Sequence, residues 1–180
     1  MEINAKKGLL RPDILFSTIY EITPAFLLER GIRGVVFDID NTIAPYEIER
    51  PTEKMKAYLL ALKESGIQVA FVSNNRNDRT VLFNEELGFP CYCNAKKPFP
   101  GKTKQAVRDF KIRPDQAVAI GDQLFTDCLS AHLARMEFFI VPPIRDKRTW
   151  FFRLKRRMER PFLKSLKKYP EYARKGENRQ

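Results

Sequence analysis

Asp38 and Asp40 stand two residues apart at the end of an apolar run, in the stretch VVFDIDNTIAP. A carboxylate at the mouth of a hydrophobic strand is costly to desolvate, so the pair asks for a chemical reason. Three further polar clusters end apolar runs. They are Ser73-Asn74-Asn75 after QVAFV, Lys96-Lys97-Pro98 after CYCNA, and Gly121-Asp122 after AVAI, with Asp127 close behind. One aspartate after a strand can cap a helix. Pro45 and Pro51 argue against a helix that starts directly after Asp40, and capping does not explain four polar ends together.

Carboxylates gathered at one edge repel one another unless a cation sits among them. A hard cation with oxygen ligands, such as Mg²⁺, suits one or two carboxylates, water and a substrate phosphate. The residue types then describe phosphoryl transfer. Asp38 can attack phosphorus and form an aspartyl-phosphate. Asp40 lies on the same side of an extended chain and can pass a proton to the leaving oxygen, then take one from water. Ser73 can donate to the phosphoryl oxygens, and Lys97 can supply positive charge.

Elements must bring these residues together. Apolar spacing in Ile14, Leu15, Ile19, Ile22, Phe26 and Leu27 predicts a helix within 12–30, closed by Gly31. Strands are expected at 33–39, 67–72, 91–94, 117–122 and 138–142. Helices are expected at 52–64, 78–86, 103–110 and 125–135. Strand and helix alternate, and the strands are continuous apolar runs. That is the pattern of a parallel α/β sheet with helices on both faces. Such sheets bind ligands outside the carboxyl ends of their strands. Cys91 and Cys93 have no His or second cysteine pair beside them, so they read as reduced thiols rather than zinc ligands.

The four motifs FDIDNT, VSNN, KKP and GDQLFTD stand in the order found in the haloacid dehalogenase (HAD) phosphatases, which the chain resembles. With RPD near the N-terminus, it is similar to the YqeG-type members of subclass IIIA over about residues 12–163. Those are relatives of the mitochondrial phosphatidylglycerophosphate phosphatases. The resemblance implies a HAD-like, Rossmann-like fold and a Mg²⁺-dependent phosphomonoesterase. It implies Asp38, Asp40 and Lys97 as catalytic residues. Ser73, Asn74 and Thr42 are the expected phosphate-binding set. Asp38, Asp122 and Asp40, the last through its backbone carbonyl, are the expected metal set, with Asp127 in support. Lys96 is the alternative to Lys97. The implied substrate is phosphatidylglycerophosphate. A soluble or nucleic-acid phosphomonoester is the rival substrate, and an RNA- or ribosome-associated adaptor on the same scaffold is the rival function. The family pattern VLGGNRAG is replaced by CLSAHLARM, so His132 and Leu133 stand where Asn and Arg are usual. The replacement touches substrate recognition rather than hydrolysis, and His132 is expected to pack. About 30 residues separate the first two motifs, too few for a large cap domain.

Of the net charge of +11, +10 falls in residues 145–180, where 14 Lys/Arg face 4 Asp/Glu. There Phe151, Leu154, Met158, Phe162 and Leu166 recur at helical spacing, with Pro161 as a break. A basic amphipathic helix of this kind suits an anionic membrane surface, and equally a helix that packs its apolar stripe on the body and leaves its charges in water. Nucleic acid is a weaker match, since no reading motif or stacking platform accompanies the charge. The expected organisation is a helical segment over 1–32, a catalytic core over 33–144 and a basic helix and tail over 145–180. With no spanning segment or signal peptide evident, a cytoplasmic protein at the membrane periphery is expected.

Overall fold

Six strands pair in parallel throughout: β1 (Ile14–Leu15), β2 (Gly34–Phe37), β3 (Gln68–Val72), β4 (Cys91–Tyr92), β5 (Ala117–Gly121) and β6 (Glu137–Ile140). Their order is β1-β6-β5-β2-β3-β4. This is the arrangement of a computed structural model that describes residues 8–75 and 77–145. The expected basic helix and the tail beyond residue 145 lie outside the described residues.

Helices α1 (Pro24–Glu29), α2 (Glu53–Glu64), α3 (Asn77–Asn84), α4 (Gly101–Asp109) and α5 (Leu129–Leu133) fill the connections. Alternation along each strand divides the core. Val35, Phe37, Val69 and Phe71 pack with Leu27, Leu59, Leu62 and Phe83 of α1, α2 and α3. Val36, Ala70 and Val72 pack with Ala106 and Val107 of α4 and Ala131 of α5. A strand buried on both faces needs an apolar residue at every position, which is why the runs are continuous. Thr52 caps α2 through Met55 N–H, and Gly66 (φ 81°) ends it, as its sequence predicts.

The N-terminal segment differs from expectation. Ile14 and Leu15 form edge strand β1 beside Phe139 and Ile140, and only residues 24–29 are α-helical. Thr23 caps that helix and Pro24 opens it. The apolar spacing of Ile14 and Leu15 belongs to a strand edge, and two residues are too short to show a period. The helix expected at 125–135 is also divided. A π-helical turn, Leu124–Cys128, precedes α5. The strand expected at 91–94 is confined to Cys91 and Tyr92, and Cys91 and Cys93 are free thiols.

His132 fastens the N-terminal segment to the sheet. Its Nδ1–H donates to the Leu9 carbonyl at 2.7 Å, and Nε2 lies 3.1 Å from Asp13 Oδ2. Asp13 Oδ2 in turn accepts the Phe138 N–H of β6 at 2.8 Å. Replacing His132 with Ala is expected to destabilise the chain by about 1–2 kcal/mol, since it removes two side-chain hydrogen bonds that tie residues 9–13 down. Urea unfolding of the variant beside the wild type measures this; an unchanged midpoint would show that the contact contributes nothing.

Candidate active site

The sheet order places the polar ends of β2, β3 and β5 side by side, with the segment after β4 next to β3. Asp38 follows β2 directly, its N–H bonded to Ile120 O of β5. The chain then turns sharply. Ile39 O accepts the N–H groups of Thr42, Ile43 and Ala44, and Asn41 adopts φ 64°. Asn tolerates this left-handed conformation better than most residues. Ser73 ends β3. Its Oγ accepts the Asn75 N–H at 3.0 Å, which leaves its own hydrogen free to donate outward.

Lys97 enters from the segment after β4. Its ammonium donates to Asp38 Oδ1 at 2.6 Å and to the Val72 carbonyl at 2.8 Å, and lies 2.6 Å from Asp127 Oδ1. Lys96 is exposed, so Lys97 is the lysine of the site. The Lys97-Pro98 peptide is cis. Asp127 comes from the π-helical turn, a form that recurs at functional sites. Gly121 makes room for it, since a Cβ there would lie 2.6 Å from Asp127 Cβ. Carboxylate oxygens of Asp38, Asp122 and Asp127 lie within 4.8 Å of one another. Three buried hard-oxygen donors in one place are a fitting ligand set for a hard divalent cation.

A cavity of about 260 Å³ opens over these groups, lined by Asp38, Asp40, Ser73, Asn74, Lys97 and Asp127, with Tyr46, Asn75, Gln123 and Thr126 at its walls. Two expected phosphate contacts lie otherwise. Thr42 lines a separate apolar cavity of about 430 Å³, because the tight turn after Asp40 points it away. The Asn74 side chain is engaged with the Lys97 backbone, accepting its N–H at 2.7 Å and donating to its carbonyl at 3.1 Å. Its amide is therefore a brace for the lysine. Sequence reasoning missed Tyr46 and Arg79. Arg79 Nε donates to Asp40 Oδ1 at 2.7 Å. An arginine in a helix next to other charges reads as a solvated side chain, and no local spacing marks it.

The electrostatics follow from burial. Desolvation, the largest effect, pushes the Asp38 carboxyl up to about 7, against the pull of Lys97 and with a further push from Asp127 and Asp40. Burial works against the Lys97 ammonium too, yet Asp127 and Asp38 hold its pKa above the ordinary lysine value. Burial, then Asp40 and Asp38, push the Tyr46 phenol upward, so it faces the cavity as a neutral hydroxyl.

Parallel strands wound with helices on both faces carry an acidic cluster and a lysine at their carboxyl ends, the arrangement expected from the resemblance to the HAD phosphatases. A family model described as mitochondrial PGP phosphatase matches residues 1–141. The chain belongs to that family. It is 35% identical over 162 residues to the probable phosphatase YqeG of Bacillus subtilis (strain 168), covering 90% of this chain and 94% of that one. It is 25% identical over 169 residues to phosphatidylglycerophosphate phosphatase 1, chloroplastic/mitochondrial, of Arabidopsis thaliana, covering 85% of this chain and 47% of that one. Among solved structures, the cobalt-bound deoxy-D-mannose-octulosonate 8-phosphate phosphatase of Haemophilus influenzae shares the fold. The TM-score is 0.52 at 17% identity, over 77% of this chain and 90% of that one.

Two outcomes are expected of the site. Asp38 is raised from 3.8 to about 7, so its contribution to stability is complete below pH 4 and is lost as pH rises through 7. With a chelator present, Asp38→Asn should therefore gain on the wild type by a few degrees in Tm between pH 5 and 8. Thermal melts across that range decide it, and a pH-independent difference would contradict the burial argument. Gly121→Ala should displace Asp127 and lower phosphatase activity about tenfold or more. Steady-state kinetics test this; full activity would mean that Asp127 can shift without consequence.

Proposed function

We propose that this chain is a Mg²⁺-dependent phosphomonoesterase that converts phosphatidylglycerophosphate to phosphatidylglycerol through an aspartyl-phosphate. The observation that carries the chemistry is the Lys97 ammonium shared between Asp38 and Asp127, on the floor of a cavity that Asp40 and Ser73 also line. The family match and the Arabidopsis relative support the lipid substrate. The cobalt-bound structural neighbour supports a divalent cation at the carboxylates.

The Asp38 carboxylate attacks phosphorus in line with the ester oxygen. Ser73 donates to a phosphoryl oxygen, while Lys97 fixes the Asp38 carboxylate and balances charge as the phosphorus–oxygen bond breaks. Asp40 gives its proton to the departing alcohol, then takes one from the water that hydrolyses the acyl-phosphate. Asp38, Asp122 and the Asp40 carbonyl, with Asp127 adjacent, would hold Mg²⁺, which supplies charge neutralisation for the phosphoryl oxygens.

No helix among the described residues is long and apolar enough to cross a membrane. The basic residues of 145–180 support contact with an anionic lipid surface, which would bring the enzyme to a lipid substrate from the cytoplasmic side.

The test is phosphate release from phosphatidylglycerophosphate in mixed micelles with Mg²⁺, beside 4-nitrophenyl phosphate. Lipid turnover that falls by about a thousandfold or more in Asp38→Asn supports the whole reading. Turnover of the aryl ester without the lipid keeps the mechanism and removes the substrate. Activity that survives Asp38→Asn removes both.

A further inference from the structure

Arg79 is the second cation at this site, and none of its nitrogens is idle. Nε donates to Asp40 Oδ1 at 2.7 Å, Nη1 to the Ile48 carbonyl at 2.7 Å and Nη2 to the Pro45 carbonyl at 2.8 Å. The side chains of Arg79 and Asp40 are 15% and 9% exposed. A guanidinium withdrawn this far from water needs strong partners, and one held in three directions has little rotamer freedom. Asn75 Nδ2 holds the other Asp40 oxygen at 3.1 Å.

Asp40 needs such help. It sits in a tight turn, and its carboxyl group must reach the leaving oxygen to within hydrogen-bond distance. A displacement of about 1 Å in a reacting group costs on the order of a hundredfold. Asn75 is neutral, so Oδ2 is the oxygen left to exchange a proton while Arg79 grips Oδ1.

We infer that Arg79 is a positioning residue for proton transfer by Asp40, with the carbonyls of Pro45 and Ile48 as its fixed anchor. The inference rests on the acid/base reading of Asp40 above. In the step concerned, an Asp38 oxygen bonds to phosphorus and the ester phosphorus–oxygen bond breaks. Its electron pair stays on the ester oxygen, which takes the Asp40 proton. Asp40 is left as a carboxylate and recovers a proton from the attacking water. Arg79 itself exchanges none.

Leaving-group dependence tests this. Esters with good leaving groups need little protonation, and poor ones need it most. We would measure kcat/KM, which reports the first irreversible step, for substituted phenyl phosphates from 4-nitrophenyl to unsubstituted phenyl. Wild type, Arg79→Gln, Arg79→Lys and Asp40→Asn would be compared. Arg79→Gln should lose about tenfold more on phenyl phosphate than on 4-nitrophenyl phosphate. Asp40→Asn should show a larger loss in the same direction, and Arg79→Lys an intermediate one. Each variant is compared with itself across the esters, so the fraction of folded protein cancels. A loss in Arg79→Gln that is equal on every ester, or a gain in rate, overturns the role of Arg79 alone, provided Asp40→Asn is steep. A dependence in Asp40→Asn identical to that of the wild type overturns the acid/base reading and this inference with it. No turnover of any ester by the wild type counts against both.

Discussion

The Lys97 ammonium lies 2.6 Å from Asp38 and 2.6 Å from Asp127, with 6% of its side chain exposed. An ammonium and two carboxylates so deep in a protein persist only if each is held against its partners. Much of the surrounding architecture answers that requirement. Asp38 is pinned by its N–H to β5, and Asp127 is admitted by the missing Cβ of Gly121. The lysine backbone is gripped at both its N–H and carbonyl by the Asn74 amide, and its ammonium also donates to Val72. The pieces come from the ends of β2, β3 and β5 and from the segment after β4. Only a parallel sheet with β2 between β3 and β5 brings these ends to one edge.

The charge balance has a direction. Among the described residues, Asp38, Asp40, Asp122 and Asp127 meet Lys97 and Arg79, so four carboxylates face two cations. With all groups ionised the site is negative by two charges, the charge that one divalent cation offsets. The rise of Asp38 to about 7 comes first from burial, and the neighbouring Asp127 and Asp40 carboxylates add to it against the pull of Lys97. A group strained in this way is destabilised in the protein alone and relieved by the partner it serves. Such a site gives up stability for function, as active sites commonly do.

The buried parallel strands were legible because burial on both faces demands unbroken apolar runs, and any polar residue at their ends stands out. Asp38, Ser73, Lys97 and Asp122 were all visible on that ground. Between Lys96 and Lys97 only the lysine–proline form of the resembled family pointed to Lys97, and Lys97 is the one that lies beside Asp38 and Asp127. What remained hidden depends on long-range contact. Ile14 and Leu15 form a strand only because β6 lies beside them. Arg79 reaches Asp40 across 39 residues of sequence. Thr42 and Asn74 are polar residues close to Asp40 and Ser73 in sequence, and adjacency in sequence does not say which way a side chain turns. In both cases the local turn and the partner decided.

His132 and Leu133 bear on how the substrate is recognised. In the family pattern an Asn and an Arg occupy those positions. Here His132 is bonded to Leu9 and Asp13 and does not line the cavity, and Leu133 is 40% exposed. A contact that could have served the substrate instead fastens residues 9–13 to the fold. The cavity itself is small and polar, suited to a phosphoryl group and its immediate ester. Single helices and loops connect β2 to β3 and β3 to β4, so the described residues place no inserted domain over it. Discrimination between phosphomonoesters must then come from what lies beyond the cavity. For a lipid substrate that environment is the membrane surface, which concentrates the substrate and fixes its headgroup orientation. On the proposed reading, a site that grips only the phosphoryl end, with Asp40 held by Arg79 of α3, is physically consistent with that division of tasks.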